Sequence, residues 1–385
     1  MTEPGHSIPE RVVLIVIDLA GGGTQKVVAG LAQALAGAGS RITIVTNQAV
    51  DGRWEDLSSD VELIELQGRI TTDRLTGAPP VFSNGRWLVD AALAIRRVVR
   101  LTGSRASVLA FLPGTNVLTA IACLGLRVPL VLSERNDVTR QPLSFALRTV
   151  RRLLYRTATV VTTNRPDDVA TLESLAGRAP VRLIRNPPPR TSGYAEPLTA
   201  RRILSVGRLT PHKRHRDVVD AFGQLADAFP EWTLRILGDG PERSALEQQV
   251  RHLGLEEQVE LPGWAIDIGA ELTQGALLVH ASEYEGTSNA ILEAMATGLP
   301  VIASESSAPA GSEMSDANAQ QAVTVFPTGD VATLTTMLEA LLSDDATRAQ
   351  RGMTARHAAR QLTAQPLPEW LPVMSLATQR SSPGT

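Results

Sequence analysis

Glu285 and Glu293 stand eight positions apart in the stretch EYEGTSNAILEAMATGLPVIAS, with Gly286, Thr287 and Ser288 between them and Asn289 next. The spacing predicts a small polar loop opening a helix from Asn289 to Thr297, with Gly298 as its stop, and then a buried strand, Pro300 to Ala303. A loop that opens a helix presents unpaired backbone N–H groups and the positive end of the helix dipole. That suits an anion or a hydroxyl-rich ligand. Asn289, Glu293 and Thr297 lie four apart and share one face, which leaves Ile291, Ala294 and Met295 for the sheet. The competing reading is a surface helix with a polar stripe and a capping box. The box misses by one position: with Asn289 as cap the third helical residue is Leu292, and with Ser288 it is Ile291. Glu293 therefore needs a partner other than its own backbone.

Other residues can do related chemistry. Val206-Gly207-Arg208-Leu209 ends a predicted strand, and Lys213 lies five residues past Arg208. A planar guanidinium and a mobile ammonium together suit a diphosphate, whose charge grows as it leaves. Taken alone, PHKRHR reads as a basic surface loop; its place at the carboxyl end of a strand favours the anion. Gly21, Gly22 and Gly23 follow a buried strand and precede a helix, where the lack of Cβ lets backbone approach a phosphate. A flexible turn is the alternative. Lys26 stands where a dinucleotide fingerprint needs glycine, which argues against NAD. Gly238-Asp239-Gly240-Pro241 reads as a structural strand-to-helix turn, with Pro241 in the first helical turn. Of the six histidines, His280 ends a buried apolar strand and reads as a satisfied core residue. No Asp-x-Asp triplet or paired-histidine spacing implies a metal. Arg148, Arg151, Arg152 and Arg156 interleave with Leu147, Val150, Leu153, Leu154 and Tyr155 on one predicted helix. Such a helix can rest on an anionic membrane, or simply turn its arginines to water and its leucines to a sheet.

The elements that must hold these residues follow from hydrophobic patterning. Strands are expected at Val12 to Ile17, Ile42 to Thr46, Val61 to Leu66, Ser107 to Leu112, Val128 to Ser133, Val160 to Thr163 and Val181 to Ile184, with helices between them, including Arg86 to Leu101 and Phe145 to Thr157. Asn186-Pro187-Pro188-Pro189 and the polar stretch to Thr199 break the pattern. The alternation then restarts at Ile203, with strands near Thr233, Val259, Ala276, Val301 and Ala322 and a helix predicted over Arg216 to Phe229. Strand–helix alternation argues for doubly wound α/β domains, and two in tandem leave a cleft at their strand ends. The 385 residues exceed one ordinary core. We therefore expect a first domain over 1–186, a linker at 187–199, a second domain over 200–365 and a closing segment at 366–385. A net charge of −3 gives no sign of nucleic acid binding, and the single cysteine, Cys123, excludes an intrachain disulfide. No basic-then-apolar leader and no long apolar run is present, so a cytoplasmic location is expected.

GGGTQKVVAGLAQAL, VGRLTPHK, GDGPERSALE and EYEGTSNAILEAMATGLPVIAS together resemble the successive motifs of glycosyltransferase family 4, over residues 11 to 362. The resemblance implies a retaining, nucleotide-sugar-dependent enzyme of the GT-B fold, α/β with two Rossmann-like domains facing a central cleft, that needs no metal or other cofactor. It implies that Arg208 and Lys213 hold the donor diphosphate and that Glu293 binds ribose. Glu285, with Gly286, Thr287, Ser288 and Asn289, would hold the sugar and distal phosphate. Gly22 and Gly23 would close over the phosphate, and Leu261 to Trp264 would frame the base. The last helix of such folds returns to the first domain, for which Pro366 to Met374 is the candidate. Many members carry a histidine in the first-domain loop beside the reacting sugar; here that loop is Ser133-Glu134-Arg135-Asn136-Asp137. It is similar to a subgroup with Ser-x-Arg-Asn that includes transferases acting on polyprenyl-diphosphate-linked sugars. Arg135 and Asn136 are the acceptor-loop candidates, and no general base is named. The implied reaction is transfer from a UDP-sugar to a hydroxyl of a lipid-linked or other envelope glycan, with peripheral membrane contact near Arg148 to Arg156. A small natural product as acceptor, or nucleotide-sugar epimerisation, are the alternatives within the fold.

Overall fold

The computed structural model describes residues 8–16, 23–46, 57, 60–66, 85–103, 106–140, 144–187, 189, 191, 193–195, 199–265, 267–309, 322–363 and 366–381. The chain divides into two compact units. The first runs to Pro187 and also includes Ala364–Thr385, and the second covers Pro188–Thr363.

The first unit is a parallel sheet of seven strands: β1 (Arg11–Ile15), β2 (Arg41–Thr46), β3 (Val61–Glu65), β4 (Ser107–Phe111), β5 (Leu130–Glu134), β6 (Val160–Thr163) and β7 (Val181–Leu183). Their order is β3-β2-β1-β4-β5-β6-β7. The near-continuous Val/Ile/Leu runs of the central strands suit burial on both faces. One face packs on α1 (Gly23–Gly37) and on the closing helix, whose Trp370, Val373, Met374 and Ala377 are buried. The other packs on α2 (Gly85–Thr102), α3 (Pro113–Cys123), α4 (Phe145–Leu154) and α5 (Val169–Ala176).

The second unit repeats the plan with six strands in the order β10-β9-β8-β11-β12-β13. These are β8 (Arg202–Val206), β9 (Thr233–Leu237), β10 (Val259–Gly263), β11 (Leu277–His280), β12 (Val301–Ser304) and β13 (Val323–Phe326). Helices α6 (His215–Gly223), α7 (Arg243–His252) and α10 (Val331–Ser343) cover one face. Helices α8 (Ile268–Thr273), α9 (Asn289–Thr297) and α11 (Asp345–Leu362) cover the other. The closing helix, α12, is Pro366–Ser381. In each sheet the strand order reverses once, at β1/β4 and at β8/β11, and open α/β sheets bind ligands at the carboxyl ends of such strands.

Some elements differ from the sequence expectation. The strand expected to reach Ile17 ends at Ile15, and Ile17 lies outside the described residues. The helix expected over Arg216 to Phe229 stops at Gly223, a poor helix former against which Leu253 and Leu255 pack closely. Helix α4 departs from the simple arginines-out, leucines-in arrangement. Arg151 points inward, 3.7 Å from the fully buried Glu134 and 5.2 Å from the centre of the Tyr155 ring. Phe145 and Leu153 are 86% and 61% exposed. A buried carboxylate needs a cation, and Glu134 takes the one that α4 can swing toward it.

Asp168 is buried, and both of its oxygens lie near the backbone N–H of Val138, at 3.4 and 3.2 Å. Burial pushes its carboxyl up to about 6. The folded chain therefore holds this proton to higher pH than the unfolded chain, and stability falls as pH rises from about 4 to about 6. Asp168→Asn keeps an acceptor for Val138. It should raise the unfolding temperature at pH 7.5, by up to about 3 kcal/mol of stability, and give no gain at pH 4. Thermal scans of both chains at the two pH values check this.

Candidate functional site

The second unit brings two of its predicted residues, Lys213 and Glu285, into contact at the switch point. Past β8 the chain turns through Gly207 to Leu209 and a short 3-10 turn, Pro211–Lys213, which ends in left-handed Arg214 (φ 52°). Past β11 it loops through Ser282 to Ser288 and enters α9. Lys213 Nζ donates to Glu285 Oε1, so the two loops meet through an ion pair. The pair is reinforced by Glu283 N–H donating to the His212 carbonyl at 2.7 Å. His212 also stacks on Tyr284, with ring centres 4.7 Å apart and planes 15° apart.

Burial on its own would raise the Glu285 carboxyl, but the Lys213 charge and a hydrogen bond from His280 outweigh it and hold the group well below the usual carboxylate range. The nearby histidines are lowered too, with burial as the chief cause. Burial pushes His212 down to about 4 and His215 to about 3, and it lowers His280 as well. All three are neutral at pH 7, so the positive charge of the loop past β8 comes from Arg208, Lys213 and Arg214, the last paired with Asp217 at 2.7 Å.

The glycines of the GDGP turn explain how the Arg208 loop is held. A Cβ on Gly238 would lie 1.9 Å from the Gly207 carbonyl oxygen, and one on Gly240 would lie 2.4 Å from that of Leu209. The backbones are this close because they bond each other: Leu209 N–H donates to the Asp239 carbonyl at 3.0 Å, and Glu242 N–H to that of Leu209 at 3.0 Å. The structural-turn reading of this motif agrees with the structure, and the turn it makes holds the loop past β8.

Helix α9 begins after Ser288 and ends at Gly298, which is left-handed (φ 93°) as a C-terminal stop requires. Ser288 makes no side-chain cap bond; its hydroxyl lies 3.2 Å from His280 Nε2 instead. Glu293 is only 8% exposed, with Ile291, Ala294 and Met295 buried around it. The surface-stripe alternative is thereby removed, since α9 is covered on nearly all sides. Asn289 and Thr287 are half-buried at its opening.

A cleft of about 380 Å³ opens at the ends of β9 and β10, lined by Leu237, Pro262, Gly263, Trp264, Ala265 and Asp267 among others. Trp264 offers a partly exposed ring there. Arg235, on the cleft wall, is fixed by two bonds to Glu271 at 3.0 and 3.1 Å and by Glu260.

In the first unit, Gly21 and Gly22 lie outside the described residues, and Gly23 opens α1 on the surface. Arg135 is 4% exposed. Its Nε donates to Ser133 Oγ at 3.1 Å, and its Nη1 to the Ile184 carbonyl and to Asn186 Oδ1, both at 3.2 Å. The guanidinium also lies 5.4 Å from the Trp370 ring centre and 5.9 Å from that of Phe111. Burial pushes its pKa down to about 9. Arg135 thus ties the ends of β5 and β7 to α12, while its neighbour Asn136 is half-buried. Leu112, before α3, holds a left-handed φ of 76°, a costly conformation for a branched side chain and one that gathers at binding loops. Among the described residues no group of three or more metal-ligating side chains comes together.

The signals missed in the sequence are His280, Ser282 and the His212–Tyr284 stack. His280 is buried and satisfied, as its strand position suggested, but its partner is the site carboxylate. The pattern H-x-S-x-x-E was visible; without the strand end fixed, nothing aimed it.

Two family models match. "Glycosyl transferase 4-like domain" covers residues 22–189 and "Glycosyl transferases group 1" covers 192–358. Among curated proteins, an exopolysaccharide phosphotransferase of Streptomyces coelicolor is 34% identical over 34% of this chain and 14% of its own length. The lipopolysaccharide core biosynthesis glycosyltransferase LpsD of Rhizobium meliloti is 28% identical over 37% of this chain and 43% of its own. The matched stretches span less than half of these relatives. Among solved structures, sucrose-phosphate synthase of Thermosynechococcus elongatus superposes with a TM-score of 0.75 at 19% identity, over 96% of this chain and 98% of that one. Anabaena HepE in complex with UDP-glucose gives 0.72 at 19% identity, over 94% and 98%. With one glycosyltransferase model on each Rossmann-like unit, the chain belongs to the group 1, family 4-like glycosyltransferases of the GT-B fold.

Proposed function

We propose that the protein is a retaining glycosyltransferase that moves a sugar from a UDP-sugar to a hydroxyl of a cell-envelope glycan. The observation that carries this is the Lys213–Glu285 pair at the switch point of the second sheet, between the Arg208 loop and the buried Glu293 of α9. Arg208 and Lys213 supply positive charge where a departing diphosphate gains negative charge. The bond from the sugar's anomeric carbon to the diphosphate breaks, with its electron pair leaving on the phosphate oxygen. The acceptor oxygen bonds to that carbon on the same face, and its proton passes to a diphosphate oxygen. No carboxylate nucleophile and no metal enters this scheme, because two fixed cations already offset the leaving group.

The base belongs in the cleft beside Trp264, ribose with Glu293, and the sugar with Glu285 and the backbone from Gly286 to Asn289. UDP as the nucleotude's diphosphate is supported by the UDP-glucose named with the Anabaena neighbour. An envelope acceptor is supported by the lipopolysaccharide and exopolysaccharide relatives, while a 2-deoxystreptamine glucosyltransferase of Streptomyces kanamyceticus, 35% identical over 26% of each chain, keeps a small-molecule acceptor in the assay. On this proposal the acceptor meets the carboxyl edge of the first sheet, around Leu112 and Asn136.

Removing a donor that acts in the transition state costs ~10²–10³ in rate. Lys213→Ala should lower UDP release in the presence of acceptor by that order, and Glu293→Ala, which removes a charged acceptor for the ribose hydroxyls, by about ten- to a hundredfold. Near-normal turnover in both would overturn the assignment.

Peripheral membrane contact belongs to the same proposal. No described helix is long and apolar enough to cross a membrane. The outer face of the α2–α4 layer carries exposed Val89, Leu93, Leu101, Leu124, Phe145 and Leu153. Arg97, Arg100, Arg148, Arg152 and Arg156 are exposed among them, a mixture suited to anionic headgroups over acyl chains. The protein should float with phosphatidylglycerol vesicles and not with zwitterionic ones, and added salt should release it. Phe145→Glu together with Leu153→Glu should abolish flotation while leaving turnover on a water-soluble acceptor intact.

A further inference from the structure

The second-unit site contains a histidine that the proposed chemistry does not use. His280 is the last residue of β11, paired in the sheet with Ala303 of β12, and 2% exposed. Its Nε2 lies 3.1 Å from Glu285 Oε1, 3.2 Å from Ser282 Oγ and 3.2 Å from Ser288 Oγ. Ser282 Oγ also donates to Glu285 Oε1, at 3.1 Å. The strand end is itself pinned, because Ser307 Oγ donates to the His280 carbonyl at 3.2 Å.

Lys213 and His212 face this cluster from the loop past β8 and His215 from the start of α6, Glu285, Ser282 and Ser288 from the loop past β11, Ser304 from the end of β12 and Ser307 from the turn that follows it. The other two histidines are neutral, and burial keeps His280 neutral as well. A neutral imidazole adds no charge to the site. What it adds is direction: a rigid ring on a paired strand, with one N–H to give to a carboxylate on a loop.

We infer that His280 is a positioning residue for Glu285, anchoring its carboxylate to the end of β11 so that it meets the hydroxyls of the donor sugar in one fixed orientation. This rests on the nucleotide-sugar reading above. Lys213 is the shared group, since its ammonium has three N–H bonds and an arriving diphosphate competes for them. Without His280, a carboxylate losing part of its hold on Lys213 would be left with the single Ser282 bond and could turn about it. With His280 and Ser282 in place it keeps two neutral donors and stays aimed. The anchor acts on the sugar and leaves the nucleotide's other contacts, at Arg208, Glu293 and Trp264, untouched.

The experiment compares UDP with the UDP-sugar that the wild-type chain turns over. UDP binding is read by calorimetry, and KM and kcat are read by UDP release. For His280→Leu the expected result is a loss of about ten- to a hundredfold in kcat/KM for the UDP-sugar, the scale of a hydrogen bond to a charged group, with UDP affinity unchanged. His280→Gln, whose amide N–H reaches to a similar point, should recover most of the loss. If His280→Leu fails to fold, His280→Asn replaces it: the shorter amide stays polar but falls short of Glu285, and the same selective loss is expected. A leucine or asparagine variant with wild-type kcat/KM overturns the inference. So does an equal loss for UDP and UDP-sugar, or a folded glutamine variant as poor as leucine. A wild-type chain that binds neither UDP nor any UDP-sugar overturns the nucleotide-sugar reading itself, and the role of His280 with it.

Discussion

The second unit is organised around two charges that cannot be buried singly. Lys213 and Glu285 are each mostly removed from water, and a lone carboxylate or ammonium in that position would cost several kcal/mol. They are tolerated because each is the other's partner and because neutral groups complete the shell. The pairing also sets the geometry of everything nearby. It requires the loops past β8 and β11 to meet, and that is possible only because those strands are neighbours at the point where the sheet order reverses. The close backbone approach at Gly238 and Gly240 then fixes the β8 loop from the far side. A side chain at either glycine would push Arg208 and Lys213 away from α9.

The first unit uses the same sheet plan with different electrostatics. Its carboxyl edge is filled by Glu134, Tyr155 and Asn116, with Tyr155 Oη donating to Glu134, and Asn116 Nδ2 donating to Tyr155 Oη and to the Ser133 carbonyl, both at 3.0 Å. Arg151 and Arg135 are drawn inward to this layer. The result stiffens the loops past β4 and β5, one of which contains the strained Leu112.

Much of this was legible in the sequence because local pattern and final structure agree. The β-branched runs gave the strands, Gly298 gave the end of α9, and the failed capping box agrees with a Glu293 that is buried and not part of a surface stripe. What escaped were features decided by distant partners. The inward turn of Arg151 depends on Glu134, seventeen positions away on another element. The part played by His280 depends on the precise end of β11 and on a loop that folds back onto it. The requirement for Gly238 and Gly240 depends on a neighbouring loop more than thirty residues earlier. Periodicity reports which face of an element is buried. It does not report which polar group across the sheet will be waiting there.

The eight-residue spacing of Glu285 and Glu293 follows from these constraints. Glu285 must lie within reach of the end of β11, where His280 and Lys213 can hold it, and so it cannot belong to the helix. Glu293 lies one turn inside α9, where apolar neighbours fix its direction. Between them the chain must reverse, expose the amide groups that open the helix, and climb its first turn. Ser288 sits at the cap with its hydroxyl committed to His280 and not to the helix. A shorter link would pull Glu285 off its anchor or draw Glu293 out of the buried layer. A longer one would let the helix opening drift away from the ion pair. The motif is thus the length of chain that a strand end, a helix opening and two differently held carboxylates require when one carboxylate is anchored at the strand end and the other is buried in the helix.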